Sequence, residues 1–240
     1  RSYLLEKMPV GTQVTVVFKG SENFLYWVNE SGKVVSTSKT YTFSMGSATT
    51  LKAVYAEKEE NQAMVVFISH TQQVISSKGY TDTVGKITTV TAKSIDGKVF
   101  KCWKNGDTVL GYTETLKIAP RGDLTLTAEY VDAGTTVDRL PVIALTEISA
   151  SQQGAKYAVS FTATRSVPEG YTVTEQGILV STNSQYGEAD ALDAMKLDAN
   201  GNRPDNTLIL KDSNTDAMGV TVLNGTTKYA DRTVYGRAYM

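Results

Sequence analysis

An all-β chain, organised as two small tandem repeats followed by a larger two-sheet sandwich, is what three observations predict. First, Thr and Tyr are abundant and Pro is scarce, with 13 Tyr against 5 Pro in 240 residues, a balance suited to side chains on a pleated, half-buried surface. Second, apolar and polar residues alternate over short runs separated by Gly, Asn and Asp, the period and punctuation of strands and tight turns. Third, the first half of the chain repeats itself, since residues 11–55 can be laid on residues 85–130 with only small gaps.

In the first copy Val14, Val16 and Phe18 alternate with polar neighbours and predict an opening strand. Phe24-Leu25-Tyr26-Trp27 predicts a second strand. It ends at Asn29-Glu30-Ser31-Gly32, where Asn and Gly tolerate the positive φ of a hairpin. Tyr41 and Phe43, then Leu51, Ala53 and Tyr55, alternate with polar residues in two further strands. In the second copy Phe100-Lys101-Cys102-Trp103 takes the place of Phe24 to Trp27, with its turn at Lys104-Asn105-Gly106-Asp107. Leu116 and Ile118 take the places of Tyr41 and Phe43, and Leu126, Ala128 and Tyr130 those of Leu51, Ala53 and Tyr55. The second copy also has a leading apolar strand at residues 64–69, whose counterpart in the first copy would fall before residue 1. The chain is therefore expected to begin inside a repeat. It also stops within an alternating strand at residues 233–239, so it reads as a piece of a longer polypeptide.

After Tyr130, the small and polar residues 131–136 predict a short linker. Beyond it, alternation at 157–164, 177–181, 208–211, 219–223 and 233–239 predicts a two-sheet sandwich of the immunoglobulin or fibronectin type. Ala189, Leu192 and Met195 recur at three-residue spacing and predict one or two helical turns within residues 188–197. The expected domains are a first module at 1–57, truncated at its N-terminus, a second at 62–131 and the sandwich at 137–240.

Composition narrows the function. Hydrophobic residues at 41% and charged residues at 20% describe a chain that buries a core. Twenty-four basic and 25 acidic side chains, with no basic stripe, give no electrostatic footprint for nucleic acid. No apolar run reaches the length of a membrane-spanning helix. The single cysteine, Cys102, excludes an internal disulfide framework and a cysteine-based zinc site, and is expected to be a buried strand residue.

The two copies resemble the divergent Listeria–Bacteroides repeats, the B-repeat-like modules that occur in tandem in bacterial surface proteins. The resemblance rests on Val14-Thr15-Val16, Phe24-Leu25-Tyr26-Trp27, Val35-Ser36, Tyr41-Thr42-Phe43 and Leu51-Lys52-Ala53-Val54-Tyr55. The second copy departs at Leu110-Gly111 and at Leu116-Lys117-Ile118. It implies an extracellular, surface-attached or secreted setting and a role as stalk or binding module, with neighbouring domains of the same polypeptide as partners. It implies no catalytic residue and no cofactor.

The lone histidine, His70, has no Gly-x-Ser-x-Gly elbow or other nucleophile motif to serve, so no catalytic residue is assigned. Asp212, Asn214 and Asp216 place side-chain oxygens at alternate positions, as a calcium loop does. However, Ala217 and Leu223 stand where such a loop wants Gly and Glu, and polar turn chemistry is the expectation. Asp198, Asn200 and Asn202 form a weaker run of the same kind. Arg121-Gly122-Asp123 spells an integrin-recognition tripeptide, but Pro120 and Gly122 are also what a tight turn selects. Trp27, Trp103, Tyr171, Tyr235 and Tyr239 would stack on sugar rings if exposed, whereas the matched positions of the tryptophans suit core anchors. The expectation is a non-catalytic stalk or spacer that also adheres to polysaccharide or to a host surface protein. The alternative is a carbohydrate-binding accessory region of a secreted polysaccharide-degrading enzyme. An exposed coplanar set of aromatics would favour the second, and buried tryptophans the first.

Overall fold

The computed structural model describes residues 8–69, 74–78, 84–188, 191–212, 217–224 and 233–240. It is all β, with only short 3₁₀ turns besides. In the first repeat, β1 (Gln13–Val17) pairs antiparallel with β4 (Thr40–Ser44), while β2 (Asn23–Asn29), β3 (Val34–Ser36) and β5 (Leu51–Ala56) form a sheet of order β3-β2-β5. The second repeat begins with β6 (Val65–Ser69) and β7 (Val74–Lys78). It continues with β8 (Thr88–Thr91), β9 (Lys98–Asn105), β10 (Thr108–Gly111), β11 (Thr115–Ile118) and β12 (Leu124–Asp132). Here β8 pairs with β11, and the main sheet runs β10-β9-β12-β6-β7, with β6 parallel to β12.

The five strands β1–β5 of the first repeat correspond to β8–β12 of the second, while β6 and β7 have no counterpart among the described residues. Val16 faces Tyr41 as Val90 faces Leu116, and Trp27 faces Ala53 as Trp103 faces Ala128. The Phe-x-x-Trp spacing has a physical cause here. In a regular strand, residues three apart point to opposite faces. The register of β2 on β5 slips between Phe24 and Tyr26, and that of β9 on β12 slips between Phe100 and Cys102. The extra residue, Leu25 or Lys101, forms a β-bulge that returns Phe and Trp to one face. Their ring centroids then lie 5.6 Å apart for Phe24 and Trp27 and 5.7 Å apart for Phe100 and Trp103.

The cores differ in completeness. In the second repeat Trp103, Leu116, Ile118, Leu126 and Ala128 are all buried, together with Val65 and Phe67 from β6. Trp103 also donates its Nε1–H to the carbonyl of Glu114 at 3.1 Å, and Phe67 meets its ring edge-on at 5.8 Å. In the first repeat Trp27 and Phe24 are buried, but Tyr41, Phe43, Leu51 and Ala53 are only half-buried and Tyr55 is exposed.

The remaining residues form two three-stranded sheets. One has the order β13-β14-β17, from β13 (Val142–Gln153), β14 (Lys156–Ser166) and β17 (Ala217–Asn224). The other is β16-β15-β18, from β15 (Gly177–Ser181), β16 (Leu208–Lys211) and β18 (Tyr235–Tyr239). Phe161, Ala163, Ile178 and Val180 fill the space between them. Gly236 gives way to the Phe161 ring, since a Cβ there would lie 2.3 Å from it. The opposite face of β15 carries Leu179. It is covered by Tyr186 and Met195, from and just after 3₁₀ turns at Ser184–Gly187 and Ala191–Ala194. Of the two 3₁₀ turns, Ala191–Ala194 falls within the residues 188–197 where helical turns are expected and Ser184–Gly187 precedes them; Met195 is buried as its spacing implies, and Ala189 lies outside the described residues. Strand β13 was not foreseen, because a register shift between Leu145 and Glu147 breaks its alternation.

Candidate functional site

The features of this chain that position one part against another are two junctions between its three units. The first is apolar. The bulge on β2 turns Tyr26 and Val28 away from the face that carries Phe24 and Trp27, and Met64, Val66 and Ile68 point away from the core that Val65 and Phe67 enter. Leu25, Tyr26 and Val34 pack with Met64, Val66 and Ile68 in a single cluster, flanked by Val28, Val54 and Ala56. The sheet of the first repeat thus lies with its outer face on the outer face of β6. Asp123 fastens the connecting segment, its Oδ1 accepting from the Met64 N–H at 2.9 Å and from Lys58 Nζ at 2.8 Å.

The second junction joins the second repeat to the sandwich and is largely polar. Ala144 and Val142 of β13 complete the core around Trp103. Around them, Thr113 Oγ1 and Ser166 Oγ lie 2.6 Å apart, and Thr164 Oγ1 donates to the carbonyl of Lys117 at 3.2 Å. The Arg139 guanidinium donates to the carbonyls of Tyr112 and Phe100. Gly111 makes this approach feasible, since a Cβ there would sit 2.2 Å from Ser166 Cβ. At the far edge the Glu147 carboxylate accepts from the Arg121 N–H at 2.5 Å, while Arg121 Nε donates to Thr162 Oγ1 at 3.2 Å. Burial raises the Glu147 carboxyl above its ordinary range, against the opposing pull of the Arg121 and Gly122 N–H groups.

Arg121 and Asp123 therefore face different units, Arg121 toward the sandwich and Asp123 toward the first junction. The turn at Arg121-Gly122-Asp123 is thus tied to the sandwich through Arg121 and to the segment connecting the two repeats through Asp123. Sequence reasoning missed Glu147, Thr164 and Ser166 on strands and Arg139 on the segment before β13, because single polar residues carry no local signal. The one available hint was Gly111, a glycine within an alternating strand.

The other expected sites are dispersed. Trp103 is fully buried and Trp27 is 8% exposed, so neither offers a ring face to a ligand. Tyr235 and Tyr239 are half-buried against the 3₁₀ turns, and only Tyr171, on a loop, stands largely exposed. These aromatics do not make one platform. Tyr239 donates to Glu175 Oε1 at 2.8 Å, and burial followed by this carboxylate pushes its phenol well up. Asp212 is half-buried at the end of β16, whereas Asn214, Asp216 and His70 lie outside the described residues. Among the described residues, no group of three or more His, Cys, Asp or Glu side chains is placed to hold a metal ion. Asp198 turns its carboxylate inward, accepting from the N–H groups of Asn200 and Asn202 at 2.8 Å each, as polar turn chemistry predicts. Cys102 is buried, and desolvation raises its thiol pKa. On the same stretch, Glu129 is held below its ordinary range by hydrogen bonds from Lys104 and Lys101.

Two open clefts lie on the sandwich. One, of about 580 Å³, is lined by residues 182–183 and 203–208 and has Asp205 as its single carboxylate. The other, of about 400 Å³, brings Glu175 and Asp212 to one lining. Glu175 is engaged by Lys211 at 2.6 Å and by Tyr239, which lower its pKa. It is thus not the raised-pKa acid that glycoside hydrolysis requires. Among the described residues, no helix is long and apolar enough to cross a membrane.

Comparison with known proteins adds one finding. Residues 66–134 match the family model of the divergent InlB B-repeat domain. This stretch runs from β6 to just past β12 and holds the second repeat with its bulge and its Phe100–Trp103 pair. No curated protein and no solved structure matches the chain.

Proposed function

We propose that the chain is a non-catalytic spacer segment of a bacterial surface or secreted protein, in which two B-repeat-like modules and a fibronectin-like sandwich are locked into one rigid body. The observation that carries this reading is the pair of junctions, the apolar cluster of Leu25, Tyr26 and Val34 with Met64, Val66 and Ile68 on one side and the hydrogen bonds of Arg121, Thr113 and Thr164 to the sandwich on the other. Junctions that merely tether domains leave them free to reorient. Here one apolar cluster and one hydrogen-bonded interface oppose that freedom, which is the property a stalk needs to hold a distal domain away from a surface. The match of residues 66–134 supports the surface setting. The strand orders β13-β14-β17 and β16-β15-β18 support the fibronectin-like assignment, with two antiparallel sheets meeting over a shared core. Burial of both tryptophans favours the spacer over a carbohydrate-binding role.

Small-angle X-ray scattering of the full chain tests the reading. The expected profile is that of a single conformation, replaced by a broader distribution of sizes in the double variant Arg121→Ala, Asp123→Ala. A wild-type profile that required several module orientations would contradict it.

A further inference from the structure

Strands β6 and β12 open and close the second repeat, and they lie side by side and parallel, with five register pairs from Val65 opposite Leu124 to Ser69 opposite Ala128. The chain enters β6 from the first repeat and leaves β12 toward the sandwich. In a parallel pair the start of one strand and the end of the other lie at opposite ends. Tension carried along the chain therefore draws β6 and β12 past each other along their lengths, and every bond between them is loaded at once. In an antiparallel pair the same two points are neighbours, and the bonds open one after another. The rest of this sheet is of that second kind. Lys98 at the start of β9 lies beside Asp132 at the end of β12, and just beyond them the Ala133 N–H donates to the Gly97 carbonyl at 3.0 Å.

Side chains add to this resistance. Both strands sit inside the sheet, whose order is β10-β9-β12-β6-β7, and β6 is buried at every position, so water has little access to the bonds it makes. Val65 and Phe67 enter the core on one face, where Phe67 meets the Trp103 ring at 5.8 Å, while Val66 and Ile68 enter the cluster shared with the first repeat on the other. A slip of β6 by one residue would exchange these two faces, and a slip by two would force the Phe67 ring into the space of Val65. At its leading end the pair is fastened by the Leu124 N–H, which donates to the Met64 carbonyl at 2.8 Å, and by the Met64 N–H, which donates to Asp123 Oδ1 at 2.9 Å. We propose that β6 and β12 form a load-bearing pair, through which the second repeat carries tension along the polypeptide without unfolding. The proposal rests on the spacer reading for the source of that tension. It adds resistance to pulling along the chain, which stiff junctions between units do not supply.

The test pulls the same folded repeat in two directions within the full chain, by single-molecule force spectroscopy through pairs of introduced cysteines. Cys102 is buried and takes no handle. Glu60→Cys with Thr135→Cys loads β6 against β12 in shear. Asp96→Cys with Thr135→Cys instead draws the start of β9 from the end of β12 and opens that antiparallel pair from one end. All three replaced side chains are exposed. Forced unfolding reads the barrier met along the pull and not the equilibrium stability, so a difference between the two pairs reports geometry. Five register pairs share the load in the first direction and the terminal pair carries it in the second. The expected rupture force is therefore about twofold or more higher for the Glu60–Thr135 pair at the same pulling speed. Equal forces, or a higher force for the Asp96–Thr135 pair, would overturn the proposal. Either result would leave the spacer reading standing, because the scattering profile of the chain reports rigidity without any load.

Discussion

Replacing Gly111 by Ala is the most discriminating perturbation of the second junction. Gly111 has an ordinary backbone conformation, so Ala there meets no φ penalty and the cost is steric. The new Cβ would lie 2.2 Å from Ser166 Cβ and 2.5 Å from Ser166 Oγ. Both atoms sit on the last residue of β14, which pairs with Val142 of β13. Relief requires β10 and β14 to separate, which also breaks the hydrogen bonds of Ser166 Oγ with Thr113 Oγ1 at 2.6 Å and with the Thr113 N–H at 3.3 Å. Overpacking of this kind costs about 1–3 kcal/mol, and two partly exposed hydrogen bonds add about 1 kcal/mol or less each. A total of about 1–5 kcal/mol corresponds to a fall in Tm of about 2–20 °C for a unit of this size. Differential scanning calorimetry measures it, with Gly46→Ala as control, because a Cβ at Gly46 meets nothing within 4 Å. The variant should melt earlier and split into two transitions as the sandwich unlocks from the repeats. Adding Ser166→Gly should restore space and recover part of the loss. A Gly111→Ala melt superimposable on wild type would refute the reasoning.

Four further outcomes follow from the same geometry. Trp103→Phe removes a bonded indole from a closed core and should lower the urea midpoint by the equivalent of about 1–3 kcal/mol; Trp27→Phe removes a donor that has no partner and should cost clearly less. Asp123→Ala leaves the Met64 N–H without its acceptor and should cost about 1–2 kcal/mol in urea denaturation, while leaving adhesion of integrin-bearing cells to the immobilised chain unchanged. Burial penalises charged Glu147, so its folded pKa lies above the unfolded one, and this penalty fades as pH falls through the folded value. Glu147→Gln should therefore stabilise the chain at neutral pH and flatten that part of the stability profile. Glu129, whose pKa is lowered, contributes stability that is lost as pH falls through its depressed folded value, and Glu129→Gln should weaken that acid limb.

Much of the fold was legible because it depends on local side-chain pattern. The equivalence of Phe24 and Trp27 with Phe100 and Trp103 could be read from spacing alone, although the spacing does not say that a bulge at Leu25 and Lys101 creates it. A bulge leaves the sequence looking like a strand with one misplaced residue. Strand β13 escaped for the same reason, its alternation interrupted at Thr146 and its outer positions, such as Ile148, apolar yet exposed. The parallel pairing of β6 with β12 was not legible, since its partners are some sixty residues apart in the chain. The junctions were the least visible. Arg121-Gly122-Asp123 looked like a turn or a recognition motif, and which neighbour Arg121 or Asp123 meets is decided by tertiary contacts with Glu147, Thr162, Met64 and Lys58.

Backbone ¹⁵N relaxation in the full chain measures rigidity across both junctions in one experiment. Amides of β2, β9 and β14 report on the first repeat, the second repeat and the sandwich respectively. If the units are locked as described, all three sets yield one overall rotational correlation time, that of a 26.0 kDa body. Separate, shorter correlation times for the three sets would show modules tumbling on flexible links and would contradict the rigid-spacer account.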